Sequence, residues 1–385
     1  MGSWLLSALL TAGALVGNTA FWVWQINWLY GTRYRGWWVT LVRQIQQAMV
    51  VGVPVLYLLA GGTELYSRPA GILPWWAWAY LGCCWVLGLV CVPVQTVRRW
   101  LRRPPALLLS NHTVTWDLAR ELAVPLAGEG RRSWYSRLPG NQVFEVDYCH
   151  WQLRLPRLPV CWDGLEILHL SDLHLCGCPA RAFYEEALCR VAEPQPDLLV
   201  ITGDLVDSDR HNQWLVPLLQ PLQARLGKFA VLGNHDYEHD VRGTLRELER
   251  AGYEVLSGRS VTRLWHGYGL RLVGNEAPWG PAPARWEADE AFCLVLSHSP
   301  DNYRWARALG ADLVLCGHNH GGQICFPGIG PVLVPSRYSR RYDQGVFFEP
   351  PTVMVVNRGL AGTYPLRYNC RPQILRLVLR TAHSQ

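Results

Sequence analysis

Charge is scarce in this chain of 385 residues: Asp, Glu, Lys and Arg make up 17% of it, against 50% hydrophobic residues. No charged side chain occurs from Met1 to Thr32, nor from Pro69 to Val97. Lysine is nearly missing. Lys228 stands alone, so the net charge of +6 rests on arginine. Apart from Arg337 to Tyr342, the C-terminal part has no basic run with interleaved aromatics, so nucleic acid is not expected as a partner. CxxC pairs are absent among the 12 cysteines, which excludes zinc ribbons and thioredoxin-type redox motifs. Cys176 and Cys178 lie beside His174, but no second cysteine pair completes a zinc set. Several other cysteines sit inside apolar runs, where a free thiol behaves as a small hydrophobe. Buried free thiols fit a reducing compartment.

What the N-terminal region does contain is long apolar runs. Trp4 to Tyr30 can cross a bilayer, which takes about 20 apolar residues. A cleaved signal peptide would want a basic start and a short apolar core, so a retained helix is the expectation. Ala48 to Gly61 is short and contains Pro54. It reads as a span if it begins near Trp37 with Arg43 reaching back to the interface, and as a re-entrant segment otherwise. Pro69 to Val97 is a third run, with Trp75, Trp76, Trp78 and Tyr80 forming an aromatic belt at one end. Arg98, Arg99, Arg102 and Arg103 follow directly and predict a cytoplasmic end. With three spans the Arg33 and Arg35 loop is also cytoplasmic, the N-terminus lies outside, and the protein is multi-pass in the cell membrane. The expected organisation is a membrane region over 1–103 with two to three helices, a linker region over 104–142, and a catalytic domain over 143–385.

In that last part, apolar runs repeatedly end in a polar pair. Ile167 to Leu170 runs into Ser171-Asp172-Leu173-His174, and Leu198 to Thr202 into Gly203-Asp204-Leu205-Val206-Asp207. Phe229 to Leu232 runs into Gly233-Asn234-His235-Asp236, Cys293 to Leu296 into Ser297-His298-Ser299, and Leu313 to Cys316 into Gly317-His318-Asn319-His320. Each reads as a buried strand delivering side chains to a sheet edge. On an extended chain Asp172 and His174 would point the same way. Helical stretches between the strands, over 180–192, 213–226 and 241–252, argue for an α/β layered fold. Val143 to Val160 reads as edge strands, and 271–273, 331–334 and 351–356 as a second set of strands. The donors are carboxylate, imidazole and amide oxygen with no thiolate, a set that suits Mn, Fe or Zn. Such side chains are too many here for one ion, and a carboxylate bridging two ions resolves the count.

The order DLH, GDLVD, GNHD, SHSP, GHNHGGQ resembles the calcineurin-like metallophosphoesterases, most of all their membrane-anchored bacterial branch. The resemblance covers about the last three-fifths of the chain. It implies a two-sheet α/β sandwich behind the helical transmembrane region. It further implies that Asp172, His174, Asp204 and His320 hold one divalent metal ion and Asp204, Asn234, His298 and His318 a second, with Asp204 as the bridge. A phosphate ester or pyrophosphate, with lipid-linked substrates in view, would be hydrolysed by a metal-bridging hydroxide. His235 looks like the general acid and Asp207 like its orienting partner. Other roles expected around the site are Asp236 as a loop cap, His169 as a core histidine, and Ser171, Ser297 and Ser299 as groups orienting ligands. Arg337, Arg340, Arg341 and Arg358 are candidates for binding substrate phosphate. The resemblance usually has an acidic residue where Gln373 stands. The alternatives are a nuclease or cyclic-nucleotide phosphodiesterase of the same fold, and a catalytically silent membrane scaffold.

Overall fold

The computed structural model describes residues 2–34, 36–62, 73–130, 132–281, 283 and 290–382. Arg35, residues 69–72 of the third apolar run and Arg131 lie outside the described residues. The chain forms two compact units, one of Met1–Arg103 with Gly328–Ser339, the other of Pro104–Pro327 with Arg340–Gln385.

The first unit is built on helices α1 (Gly2–Tyr30), α2 (Trp37–Leu59) and α3 (Trp75–Leu101), all three long and apolar enough to cross a membrane. The short second run thus belongs to a helix that starts at Trp37 and takes in Arg43 and the glutamines after it. Pro54 sits inside α2, where its missing N–H deprives the carbonyl four residues earlier of a donor. That carbonyl is Val50 O, and Asn18 of α1 supplies the donor from its Nδ2 at 3.3 Å, also reaching Met49 O at 3.3 Å. The Asn18 Oδ1 in turn accepts from the Tyr80 hydroxyl at 2.5 Å, which itself accepts from Trp22 Nε1 at 2.9 Å. A polar side chain in an apolar bundle is therefore fully used. The backbones of α1 and α3 meet at Gly17 and Gly88, where a Cβ would overlap the carbonyls of Cys84 and Gly13, and a Cβ at Gly13 would meet the Leu89 side chain.

The second unit is a sandwich of a seven-stranded and a six-stranded sheet. In the first, β3 (Glu166–Leu170), β4 (Leu198–Thr202) and β5 (Gly227–Val231) run parallel and lie beside the C-terminal strand Gln373–Thr381. In the second, β8 (Tyr268–Asn275), β9 (Phe292–Ser297) and β10 (Leu313–Cys316) are parallel, with the hairpin of Gly345–Glu349 and Thr352–Val356 at one side. Alternate residues face opposite layers. Ile167, Val200 and Phe229 join Leu294, Leu296, Leu313 and Leu315 in the core between the sheets. Leu168, Leu199, Ile201 and Ala230 pack instead on Phe183, Tyr184 and Leu188 of the helix Arg181–Cys189. Both faces are covered, which is why these strands read as continuous apolar runs.

Several elements depart from the sequence reading. The stretch 104–142 contributes β1 (Leu108–Asp117), which pairs antiparallel with β2 (Glu145–Leu155) along its length. Its side chains are mostly exposed, so apolar alternation, the usual strand signal, is absent. β2 lies between β1 and the C-terminal strand and so is interior rather than an edge. Over 213–226 regular α-helix is confined to Leu215–Leu219. Of 331–334, Pro331 alone belongs to a strand, the two-residue Gly330–Pro331.

Candidate metal centre

Every candidate residue follows the C-terminal end of a strand. Asp172 and His174 follow β3, Asp204 and Asp207 follow β4, Asn234 and His235 follow β5, His298 follows β9, and His318 and His320 follow β10. Asp172 and His174 are not on extended chain. Strand β3 stops at Leu170, and the two residues have φ of 53° and 43°. Asp204, His318 and His320 share this left-handed conformation at 53°, 68° and 49°. Each such non-glycine residue costs about 1–3 kcal/mol, a strain that surrounding structure must hold in place. Here backbone bonds between loops do so: Asp172 N–H donates to Gly203 O and His174 N–H to Asp204 O, both at 2.9 Å.

The side chains converge in groups. Ligand atoms of Asp172, His174, Asp204 and His320 lie within 4.8 Å of one another, as do those of Asp204, His298 and His318, and those of His174, Asp207 and His235. Asp204 belongs to two groups: its Oδ2 is 3.5 Å from His174 Nε2 and 3.2 Å from His298 Nε2. His174 Nε2 faces His320 Nε2 at 3.2 Å, and His298 Nε2 faces His318 Nδ1 at 3.0 Å and Asn234 Oδ1 at 3.1 Å.

These contacts fit divalent cations. His174 Nδ1 donates to Asp207 Oδ1 at 2.8 Å, His298 Nδ1 to Thr202 O at 2.7 Å, and His320 Nδ1 to Ala361 O at 3.1 Å. An oxygen acceptor on one ring nitrogen leaves the lone pair on the other, so three Nε2 atoms present lone pairs inward beside carboxylates. The carboxylates favour positive charge at two of these rings, whereas the third is kept neutral. Burial opposes charge on His298, yet Asp204 raises its pKa to about 9. Burial likewise opposes charge on His174, and Asp207 and Asp204 override it. His320 is held well below the usual imidazole range by burial, then by His174 and Arg367. His235, with Nδ1 2.9 Å from Asp207 Oδ1, is raised to about 10: burial opposes the shift, and Asp204 and Asp207 prevail.

The supporting residues divide. Asp236 accepts from Leu205 N–H, Val206 N–H and Gly233 N–H at 2.8, 3.1 and 2.8 Å, tying two site loops together. His169 is buried, with Nε2 2.9 Å from Thr202 Oγ1, and burial lowers its pKa to about 3. Ser171 donates to Asp172 Oδ2 at 2.5 Å, whereas Ser297 bonds to Ser299 O at 3.0 Å and Ser299 accepts from Asp301 N–H at 3.2 Å. Arg358 donates to Asp147 Oδ2 at 2.8 Å and Arg341 to Glu349 at 3.0 Å, so both charges are engaged. Gln373 accepts from Arg358 N–H at 3.1 Å.

Two residues escaped sequence reasoning. Arg367 is wholly buried and donates to His320 O at 2.9 Å and Arg358 O at 3.0 Å, and to Ala361 O. Trp279 sets its ring 4.8 Å from that of His318. Neither lies next to a strand-end motif, so no local pattern marks it.

A two-sheet α/β sandwich whose strand ends gather histidines and aspartates into clusters able to hold metal ions is the arrangement of a metal-dependent hydrolase of phosphate esters. Residues 165–322 match the family described as calcineurin-like phosphoesterase. The chain is 31% identical over 239 residues to the metallophosphoesterase YkuE of Bacillus subtilis (strain 168), covering 59% of this chain and 82% of that one. It is 32% identical over 224 residues to the phosphodiesterase YaeI of Escherichia coli (strain K12), covering 56% and 82%. It is also 27% identical over 302 residues to the UDP-2,3-diacylglucosamine pyrophosphatase LpxG of Chlamydia muridarum, covering 63% and 90%. The chain belongs to the calcineurin-like phosphoesterase family and is a metal-binding phosphoester hydrolase with an N-terminal membrane-type helical unit.

Proposed function

We propose that this enzyme is a membrane-anchored dinuclear phosphoesterase. Asp172, His174, Asp204 and His320 hold one divalent ion; Asp204, Asn234, His298 and His318 hold the other. The observation that carries this reading is the position of Asp204, whose Oδ2 stands within 3.5 Å of an imidazole nitrogen from each group. Mn, Fe or Zn ions there supply charge neutralisation for phosphoryl oxygens and acidify water. Asp207 accepts from His235 Nδ1, which directs the Nε2 proton outward. His235 is partly exposed, so that proton can reach a leaving oxygen. General-acid assistance matters most for alkoxide and phosphate leaving groups that depart poorly unprotonated. The same Asp207 oxygen accepts from His174 Nδ1, so one carboxylate orients both a ligand and the acid.

The substrate is a lipid-linked phosphate ester or pyrophosphate. The likeness to a pyrophosphatase of diacylated sugar nucleotides and the three membrane-type helices support this. The helices span the membrane, with the N-terminus outside and the catalytic unit on the cytoplasmic side, supported by Arg98, Arg99, Arg102 and Arg103 after α3. The test is a panel of UDP-diacylglucosamine, phosphatidyl lipids, cyclic nucleotides and aryl phosphates on detergent-purified protein, with elemental analysis alongside. Full activity with a single metal per chain would refute the dinuclear reading. Turnover of cyclic nucleotides, with the lipid substrates left intact, would refute the lipid-linked one.

A further inference from the structure

After Pro327 the chain leaves the catalytic unit, and residues 328–339 belong to the helical unit before the chain returns at Arg340. The excursion, Gly-Ile-Gly-Pro-Val-Leu-Val-Pro-Ser-Arg-Tyr-Ser, contains no acidic residue. It is clamped to two helix ends. Asn27 of α1 is buried and donates from Nδ2 to Val332 O at 3.2 Å and Ser339 Oγ at 3.1 Å, while its Oδ1 accepts from Val334 N–H at 3.0 Å. Arg337 Nε donates to Gly31 O at 3.2 Å, and Trp100 Nε1 of α3 donates to Gly328 O. Arg99 lies directly against Gly330. Val332 is two positions after Gly330, a reach of about 7 Å. The C-terminal ends of α1 and α3 therefore lie on one side of the bundle.

Around this clamp the surface is apolar and basic. Leu333 and Ile329 of the excursion are exposed, as are Trp28, Tyr30, Trp100 and Leu101 at the two helix ends. Arg98, Arg99, Arg102 and Arg103 follow in sequence, and residues 94–107 hold no acidic side chain. Exposed aromatics with arginines at the end of apolar helices match the headgroup level of a bilayer. Polar backbone at that depth needs partners, which Asn27, Arg337 and Trp100 provide.

We propose that residues 328–339 form an interfacial loop that seats Leu333 and Ile329 at the headgroup–acyl boundary of an anionic phospholipid bilayer, with the arginines of α3 on the lipid phosphates. This rests on the reading of α1, α2 and α3 as spans. It makes the catalytic chain membrane-bound at a second point, remote in sequence from the helices. Lipid is the occupant because the patch continues the apolar surface of those helices and its charge is wholly basic.

The full chain is reconstituted in nanodiscs of phosphatidylglycerol carrying a phospholipid with a diazirine near the glycerol carbonyls, irradiated and analysed by peptide mass spectrometry. Adducts are expected on α1 to α3 and on 328–339. Loop labelling should be about fivefold weaker in phosphatidylcholine discs, the size of one arginine–anionic-surface contact. Leu333→Asp with Ile329→Asp should abolish loop adducts and leave helix adducts unchanged. Helix adducts without loop adducts overturn this proposal alone, whereas absence of both overturns the spanning reading beneath it. In a parallel sample treated with a bifunctional protein cross-linker, links joining 328–339 of two copies, with no lipid adducts there, would make the face a contact between copies and overturn the proposal too.

Discussion

At the scale of single residues, His235 and Asp204 make opposite predictions although their rings and carboxylates belong to one network. His235 Nδ1 is held by Asp207 Oδ1 at 2.9 Å, and the ring lies outside the two groups that share Asp204. His235→Ala should keep its metals and lose about 10²–10⁴-fold in turnover on alkyl esters, with a much smaller loss on nitrophenyl esters. Equal losses on both would assign the ring to phosphoryl positioning. Asp204→Asn should lose metal and activity together, read by elemental analysis, because both groups share its carboxylate. His169 makes a prediction about stability instead. Its pKa falls from 6.5 to about 3 through burial. The unfolded chain takes up a proton from about pH 6.5 while the folded one does not, so the stabilisation is complete above that pH and is lost as pH falls. At pH 5 the loss is about 2 kcal/mol. Denaturation of His169→Gln should show a shallower decline between pH 7 and 5 than the unsubstituted protein; parallel slopes would mean the imidazole is not held neutral.

At the scale of elements, helix α2 depends on a side chain from another helix. Pro54 leaves Val50 O to be satisfied by Asn18. Asn18→Leu should destabilise the bundle by about 1 kcal/mol, the usual order for an interhelical hydrogen bond in a membrane. The cost should shrink in a Pro54→Ala background, where residue 54 again has an N–H for Val50. A double-mutant cycle on thermal unfolding in detergent reads this coupling, and strict additivity would dissociate the two residues. The strand ends are the other decisive element. β3, β4, β5, β9 and β10 were legible as apolar runs because both of their faces are covered. The loops that follow were legible only as residue types. Their left-handed backbone at Asp172, His174, Asp204, His318 and His320 depends on contacts between loops far apart in sequence.

At the scale of the whole molecule, the chain enters the helical unit twice, at 1–103 and again at 328–339. That second visit supports three spans, since it brings the C-terminal ends of α1 and α3 to one side. A green fluorescent protein fused at Gln385 should fluoresce, and alkaline phosphatase at the same site should stay inactive. The opposite pair of results would place the catalytic unit outside.

The sequence alone determined the apolar helices, the strand runs and the identity of the metal-type residues, because each is written in neighbouring residues through periodicity or residue chemistry. It did not reveal β1, whose exposed side chains carry no alternation and whose strand character comes from pairing with β2. Nor did it reveal Arg367, buried against the backbone of His320 and Arg358, or the attachment of 328–339 to Asn27. Those features are contacts between residues from nine to 305 positions apart, and such contacts exist only once the chain has closed on itself.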